Sequence, residues 1–141
     1  MTLLGLDLGQ KRIGVAVGDE AMRMAFPLTT LEFRTRKDLL RDIAKIVAEH
    51  GVTKIVVGFP KTLAGDLGPA AQKIAEEVEW LKANLEQSFV LWDERLSSQE
   101  VERLLISAGM RREKRKEVRD QLAAQRILQN YMDYHREEKK P

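Results

Sequence analysis

Three acidic residues stand in apolar surroundings that a folding chain ordinarily denies to charge. Asp7 lies within the run Leu3-Leu4-Gly5-Leu6-Asp7-Leu8, Glu94 closes Phe89-Val90-Leu91-Trp92-Asp93-Glu94, and Asp120 falls on the apolar stripe of the last helix in the chain. A lone buried carboxylate is strongly disfavoured, so each of the three needs a counter-charge. If one site gathers all three, a divalent cation is the simplest such charge, because Mg2+ and Mn2+ are hard ions suited to carboxylate and water oxygens. The chain has no Cys, and its two His residues, His50 and His135, are too few and too far apart for a typical zinc site. Carboxylates holding two Mg2+ or Mn2+ ions would fit phosphodiester hydrolysis, with one ion generating hydroxide and the other stabilising the leaving oxygen. No His base is then required, and His50 and His135 are expected to face solvent.

The segment Arg111-Arg112-Glu113-Lys114-Arg115-Lys116-Glu117-Val118-Arg119 carries six cations in nine residues and runs directly into Asp120. Such a run is ordinarily a solvated helix face. Beside a metal site, Arg111, Arg112, Lys114, Arg115 and Lys116 would instead offer phosphate contacts that position a polyanion without reading its sequence, with strongly salt-dependent binding. Lys11, Arg12, Lys61 and Arg95 would extend this track. The plain alternative for Asp120 is a buried ion pair with an arginine such as Arg12 or Arg95, and for Asp93 and Glu94 a strand-end salt bridge with Arg95. Strand alternation sends Asp93 and Glu94 to opposite faces, so only one of them can join a common cluster; alternation alone leaves the choice open.

The elements that must position these groups follow from periodicity. Residues 2 to 8 and 12 to 18 read as two strands of a hairpin turned at Gly9-Gln10-Lys11, and a third strand near 25 to 32 completes a meander. In the second strand Ile13, Val15 and Val17 share one face while Gly14, Ala16 and Gly18 share the other, a bare face that predicts close helix packing and, secondarily, room for a ligand beside Asp7. Asp7 shares its face with Leu3 and Gly5, so it is expected to meet a covering layer rather than bulk water. Thr35 and Asp38 have the spacing of a helix cap, opening a helix to about His50 with Gly51 as its stop. Thr53 to Phe59 is an apolar strand of the kind buried in parallel sheets, ended by Pro60. A Gly- and Pro-bearing loop over 61 to 68 leads to Pro69, which suits the first turn of a helix reaching about Leu85, with Ile74, Val78, Leu81 and Leu85 inward.

Strand 88 to 93 precedes a helix opened by Ser97 and Glu100 and stopped by Gly109, and a final helix is predicted from about Arg112 or Lys114 to Tyr134. On that helix Asp120 projects along the mean direction of Ala123, Ala124, Ile127, Tyr131 and Tyr134, and the small neighbours Ala123 and Ala124 would let it approach the first strand closely. The order is three strands, helix, strand, helix, strand, helix, helix. It describes an α/β fold: a mixed five-stranded sheet, antiparallel through strands 1 to 3 and then parallel, with helices on both faces. One domain over 1 to 134 and a frayed polar tail over 135 to 141 are expected.

Composition bounds the class without choosing the function. The 141 residues are 43% hydrophobic and 33% charged, enough for one domain with a real core, yet the formal net charge is only +2. Any affinity for phosphate must therefore come from where the charges lie. Asp7 interrupts the first apolar run too early for a signal peptide, and no apolar stretch approaches the roughly 20 residues that span a bilayer, so a cytoplasmic protein with no membrane partner is expected.

At this point the residues resemble a family. Leu6-Asp7-Leu8-Gly9-Gln10-Lys11-Arg12-Ile13-Gly14-Val15-Ala16, Val57-Gly58-Phe59-Pro60, Trp92-Asp93-Glu94-Arg95-Leu96-Ser97-Ser98, and Lys114-Arg115-Lys116 followed by Asp120-Gln121-Leu122-Ala123-Ala124 with Ile127-Leu128-Gln129 are similar, in that order, to the bacterial YqgF (RuvX) proteins. The resemblance covers almost the whole chain. It implies a ribonuclease H-like fold and a nuclease acting either on the 5′ end of pre-16S ribosomal RNA or as a Holliday junction resolvase on branched DNA. Carried over residue by residue, the family's acids fall on Asp7, Glu94 and Asp120, which favours Glu94 over Asp93. Phe59, Lys61 and Gln10 depart from the commoner family residues, and none of these departures removes an acid. A junction resolvase would be expected to work as a symmetric homodimer, whereas an RNA-trimming enzyme can act as a monomer.

Two rival classes follow from the same residues. Asp7-Leu8-Gly9 with Gly14 also resembles the first phosphate loop of actin-like and sugar-kinase ATPases, but those close two domains of this fold around a nucleotide, and 141 residues supply one. A non-catalytic module that binds RNA or a ribosome assembly partner is the other, and three acids in apolar settings argue against it.

Overall fold

The computed structural model describes residues 1–9, 11–59, 68–93, 106–109 and 112–138. Strands β1 (Thr2–Leu8), β2 (Arg12–Asp19) and β3 (Met24–Glu32) form the meander, followed by α1 (Arg36–His50), β4 (Val52–Phe59), α2 (Pro69–Asn84), β5 (Ser88–Asp93) and the long helix α3 (Arg112–Glu138). The sheet order is β3-β2-β1-β4-β5. β1 and β2 pair antiparallel, as do β2 and β3, while β1–β4 and β4–β5 are parallel. The mixed sheet is thus the one predicted, and the carboxyl ends of the parallel strands β1, β4 and β5 lie along one edge of the molecule, where open α/β sheets form their ligand crevices.

Local chemistry explains the element boundaries. Thr35 is extended, its Oγ1 accepts a hydrogen bond from the Asp38 N–H at 3.1 Å, and Gly51, left-handed at φ 64°, closes α1 by donating to the Val47 carbonyl. Pro69 opens α2, where its missing N–H and fixed φ carry no penalty. The helical turn at Ile106 and Ser107 is stopped by Gly109 at φ 74°, whose N–H donates to the Ile106 carbonyl. The helix start predicted at Ser97 and Glu100 lies outside the described residues.

Two cores sandwich the sheet. On one face Leu4, Leu6, Ile13, Val15, Ile55 and Val57 pack against Leu39, Ile43 and Val47 of α1 and Val78 and Leu81 of α2. On the other, Leu3, Ala16 and Val56 pack against Ala124, Ile127, Leu128 and Tyr131 of α3. The bare face of β2 carries α3, as its pattern predicted: a Cβ on Gly18 would meet Leu128 Cδ2 at 2.9 Å, and one on Gly5 would meet Leu128 Cβ at 2.9 Å.

Helix α3 departs from expectation in two respects. It continues to Glu138, four residues beyond Tyr134, so the segment expected to fray from residue 135 is helical over most of its length. Its buried stripe includes Leu128 and Met132, while Tyr134 is 51% exposed. At about 100° per residue the buried arc centres near Tyr131, which leaves Tyr134 on its margin. The helix also guards the sheet's β3 edge. Gln129 Oε1 accepts from the Ala25 N–H, Gln125 Nε2 donates to the Ala25 carbonyl, and Gln129 Nε2 donates to the Arg23 carbonyl, at 2.9, 2.9 and 3.0 Å. Among the described residues, no helix is long and apolar enough to cross a membrane.

Candidate active site

A backbone-on-backbone contact brings two of the three acids together. Asp7 near the carboxyl end of β1 pairs with Gly14 of β2, and cross-strand partners share a sheet face. That face is the one α3 covers. A Cβ built on Gly14 would fall 1.8 Å from the carbonyl oxygen of Asp120, so the helix lies on the glycine itself at that residue. Asp7 and Asp120 are therefore neighbours across a single strand pairing, although they are more than a hundred residues apart in sequence. Ala123 and Ala124, both buried to 1% or less exposure, permit the approach.

Asp120 is charged and largely enclosed, with 14% of its side-chain surface exposed, and Arg12 supplies its counter-charge. The Arg12 Nε donates to Asp120 Oδ2 at 3.0 Å. The ion pair considered for Asp120 from the sequence thus exists, and Arg12, expected on the phosphate track, is engaged with an acid. Arg119 Nε stands 3.8 Å from the other oxygen, Oδ1, beyond hydrogen-bond reach. Both arginine side chains are 37% exposed, so two guanidinium groups flank the acid while reaching solvent. Lys11, at the turn entering β2, is exposed.

The RuvX family profile, described as Holliday junction resolvase, matches residues 1–134. This chain belongs to the RuvX family. A curated relative from Geobacillus kaustophilus named "Putative pre-16S rRNA nuclease" is 46% identical over 138 residues, covering 96% of this chain and 100% of its own. One of the same name from Desulforudis audaxviator is 43% identical over 133 residues, covering 94% of each. Among solved structures, Thermus thermophilus RuvC in complex with a Holliday junction substrate superposes with a TM-score of 0.60 at 15% identity, over 99% of this chain and 97% of that one, and so shares the fold.

Of the site residues predicted from the sequence, Asp7 and Asp120 both lie against Gly14 on one sheet face, while Glu94, Arg95, Lys61 and Arg111 lie outside the described residues. Arg112, Lys114, Arg115 and Lys116 occupy the first turns of α3, which puts the basic segment about 12 Å or less upstream of Asp120 along the helix axis. His50 ends α1 and is exposed, as expected. Among the described residues no three His, Cys, Asp or Glu side chains converge as a metal group. The donor chemistry nevertheless suits a divalent cation: Asp7 and Asp120 offer hard carboxylate oxygens, and Asp120 Oδ1 is not taken by Arg12. Sequence reasoning missed the glutamines that tie α3 to β3. Their signal was Gln125 and Gln129 at helical spacing beside the apolar stripe.

Proposed function

We propose that this chain is a nuclease that hydrolyses phosphodiester bonds in structured nucleic acid with Mg2+ or Mn2+, and that it processes the 5′ end of pre-16S ribosomal RNA. The observation that carries the reading is that Asp7, paired with Gly14, and the Asp120 backbone, packed on Gly14, share one sheet face. The substrate rests on the names of relatives more than 40% identical over nearly their full length.

Asp7, Asp120 and Glu94 would hold the cations. For Glu94, which lies outside the described residues, the support is the resemblance of Trp92-Asp93-Glu94-Arg95 to the RuvX pattern. Divalent cations held by these carboxylates would supply Lewis acidity for phosphodiester hydrolysis. The protein's own residues do the rest. The close packing of α3 on β2 fixes the separation of the acids, and Lys11, Arg112, Lys114, Arg115 and Lys116 hold the nucleic-acid backbone by its phosphates.

A second reading, cleavage of Holliday junctions by a homodimer, is favoured by the family description and by the fold shared with RuvC. The test is a paired cleavage assay on a pre-16S RNA fragment and a four-way DNA junction, using wild type, Asp7→Asn and Asp120→Asn. Each variant should keep its fold and lose more than about a hundredfold in rate, the scale that even outer partners of metal sites reach. Variants as active as wild type would overturn the site, and cleavage of the junction alone would overturn the substrate. Binding without turnover by pure wild-type protein would point to a non-catalytic RNA or ribosome-assembly module.

A further inference from the structure

We infer that Arg12 is a positioning residue that exchanges partners, holding the Asp120 carboxylate in the free protein and moving to a nucleic-acid phosphate once a divalent cation occupies that carboxylate. The inference rests on the metal-dependent reading above. Its starting point is the unequal exposure of the pair: Asp120 is 14% exposed and Arg12 is 37% exposed, joined by one bond of 3.0 Å through Nε. The acid sits where it must have a counter-charge, whereas the guanidinium can swing into solvent without leaving a buried cation behind.

Geometry keeps the exchange local. Arg12 is the first residue of β2 and lies two positions from Gly14, so it shares that strand's α3-covered face. The approach of Asp120 to β2 is set by backbone contact at Gly14, not by the ion pair, so the acid keeps its place when Arg12 leaves. The guanidinium also presents a planar fork of N–H donors matched to phosphate as well as carboxylate. Arg119 is the internal comparison: it has the same exposure, but its Nε is 3.8 Å from Oδ1, too far to hold that oxygen.

Two consequences follow, because a group competing with a cation for one carboxylate weakens that cation's binding, and the effect is reciprocal. Arg12 should lower the affinity of the free protein for metal, and it should bind phosphate only when metal is present. The experiment is calorimetric titration of the full chain with Mn2+ alone, for wild type, Arg12→Gln and Arg119→Gln. Arg12→Gln should bind Mn2+ about threefold to fivefold more tightly, the scale of a partly exposed ion pair, and Arg119→Gln should gain less than about twofold. Duplex RNA binding against salt supplies a readout that a structural role would not move. Arg12→Gln should leave the slope unchanged in EDTA and reduce it by about one phosphate contact in Ca2+.

Unchanged or weaker Mn2+ binding by a folded Arg12→Gln protein would overturn the inference, as would an equal gain in Arg119→Gln, which would reduce the effect to general charge. If Arg12→Gln does not fold, Arg12→Lys carries the same test, with a smaller gain expected that still exceeds that of Arg119→Gln. Failure of wild type and variants alike to bind Mn2+ would sink the metal site and this inference together. Tight wild-type binding with no Arg12 effect would sink the inference alone.

Discussion

At the scale of single residues, Gly14 matters to the site as much as the acids do. Its hydrogen occupies the only volume left between β2 and the Asp120 carbonyl, and a methyl group there would need backbone to move, since the first atoms met are the carbonyl oxygen at 1.8 Å and its carbon at 2.3 Å. Gly14→Ala should therefore destabilise the protein by about 3 kcal/mol or more and separate Asp120 from Asp7. Gly18→Ala is the matched control. It meets the ends of flexible side chains, Leu128 Cδ2 at 2.9 Å and Met132 Cε at 3.1 Å, and should lose only about 1 kcal/mol. Urea unfolding of both variants checks the difference, and equal losses would mean that α3 is not anchored on Gly14.

At the scale of elements, α3 does three things at once: it covers one face of the sheet, delivers Asp120, and caps an edge strand. The third role has a direct test. Gln129→Ala removes the acceptor of the Ala25 N–H and the donor to the Arg23 carbonyl, so about 1–2 kcal/mol of stability should be lost, with faster hydrogen exchange at the Ala25 amide. Normal protection of that amide in the variant would show that the edge is satisfied some other way. The start of the same helix is built against its own electrostatics. Arg112, Lys114, Arg115 and Lys116 occupy its first turns, where the positive end of the helix dipole disfavours cations. Helix stability alone does not favour that placement, which is why these cations are the ones proposed to meet phosphate.

At the scale of the whole molecule, a net charge of only +2 means that any affinity for a polyanion must come from where charge is clustered, and the proposed place is the basic segment before Asp120. Arg115→Ala with Lys116→Ala should leave thermal stability unchanged or raised by a few tenths of a kcal/mol, since cations leave a helix N-terminus. The same double variant should bind duplex RNA more weakly and flatten its salt dependence by up to about two phosphate contacts. An unchanged slope would remove the basic segment from the interface.

Much of this arrangement was legible in the chain because it rests on short-range rules. Alternation assigned Leu3, Gly5 and Asp7 to one face of β1, the Thr35 cap and Gly51 bounded α1, and the bare face of β2 announced a closely packed helix. The acids stood out for the same reason, as charges placed where local pattern called for apolar residues. What the sequence could not decide were matters of distance and competition between remote groups. Whether Asp120 reached Asp7, whether Arg12 served phosphate or carboxylate, and how far α3 had to rotate to bury Leu128 and Met132 rather than Tyr134 all depend on the register of a helix against a sheet. Packing of the whole core sets that register, and no local pattern encodes it.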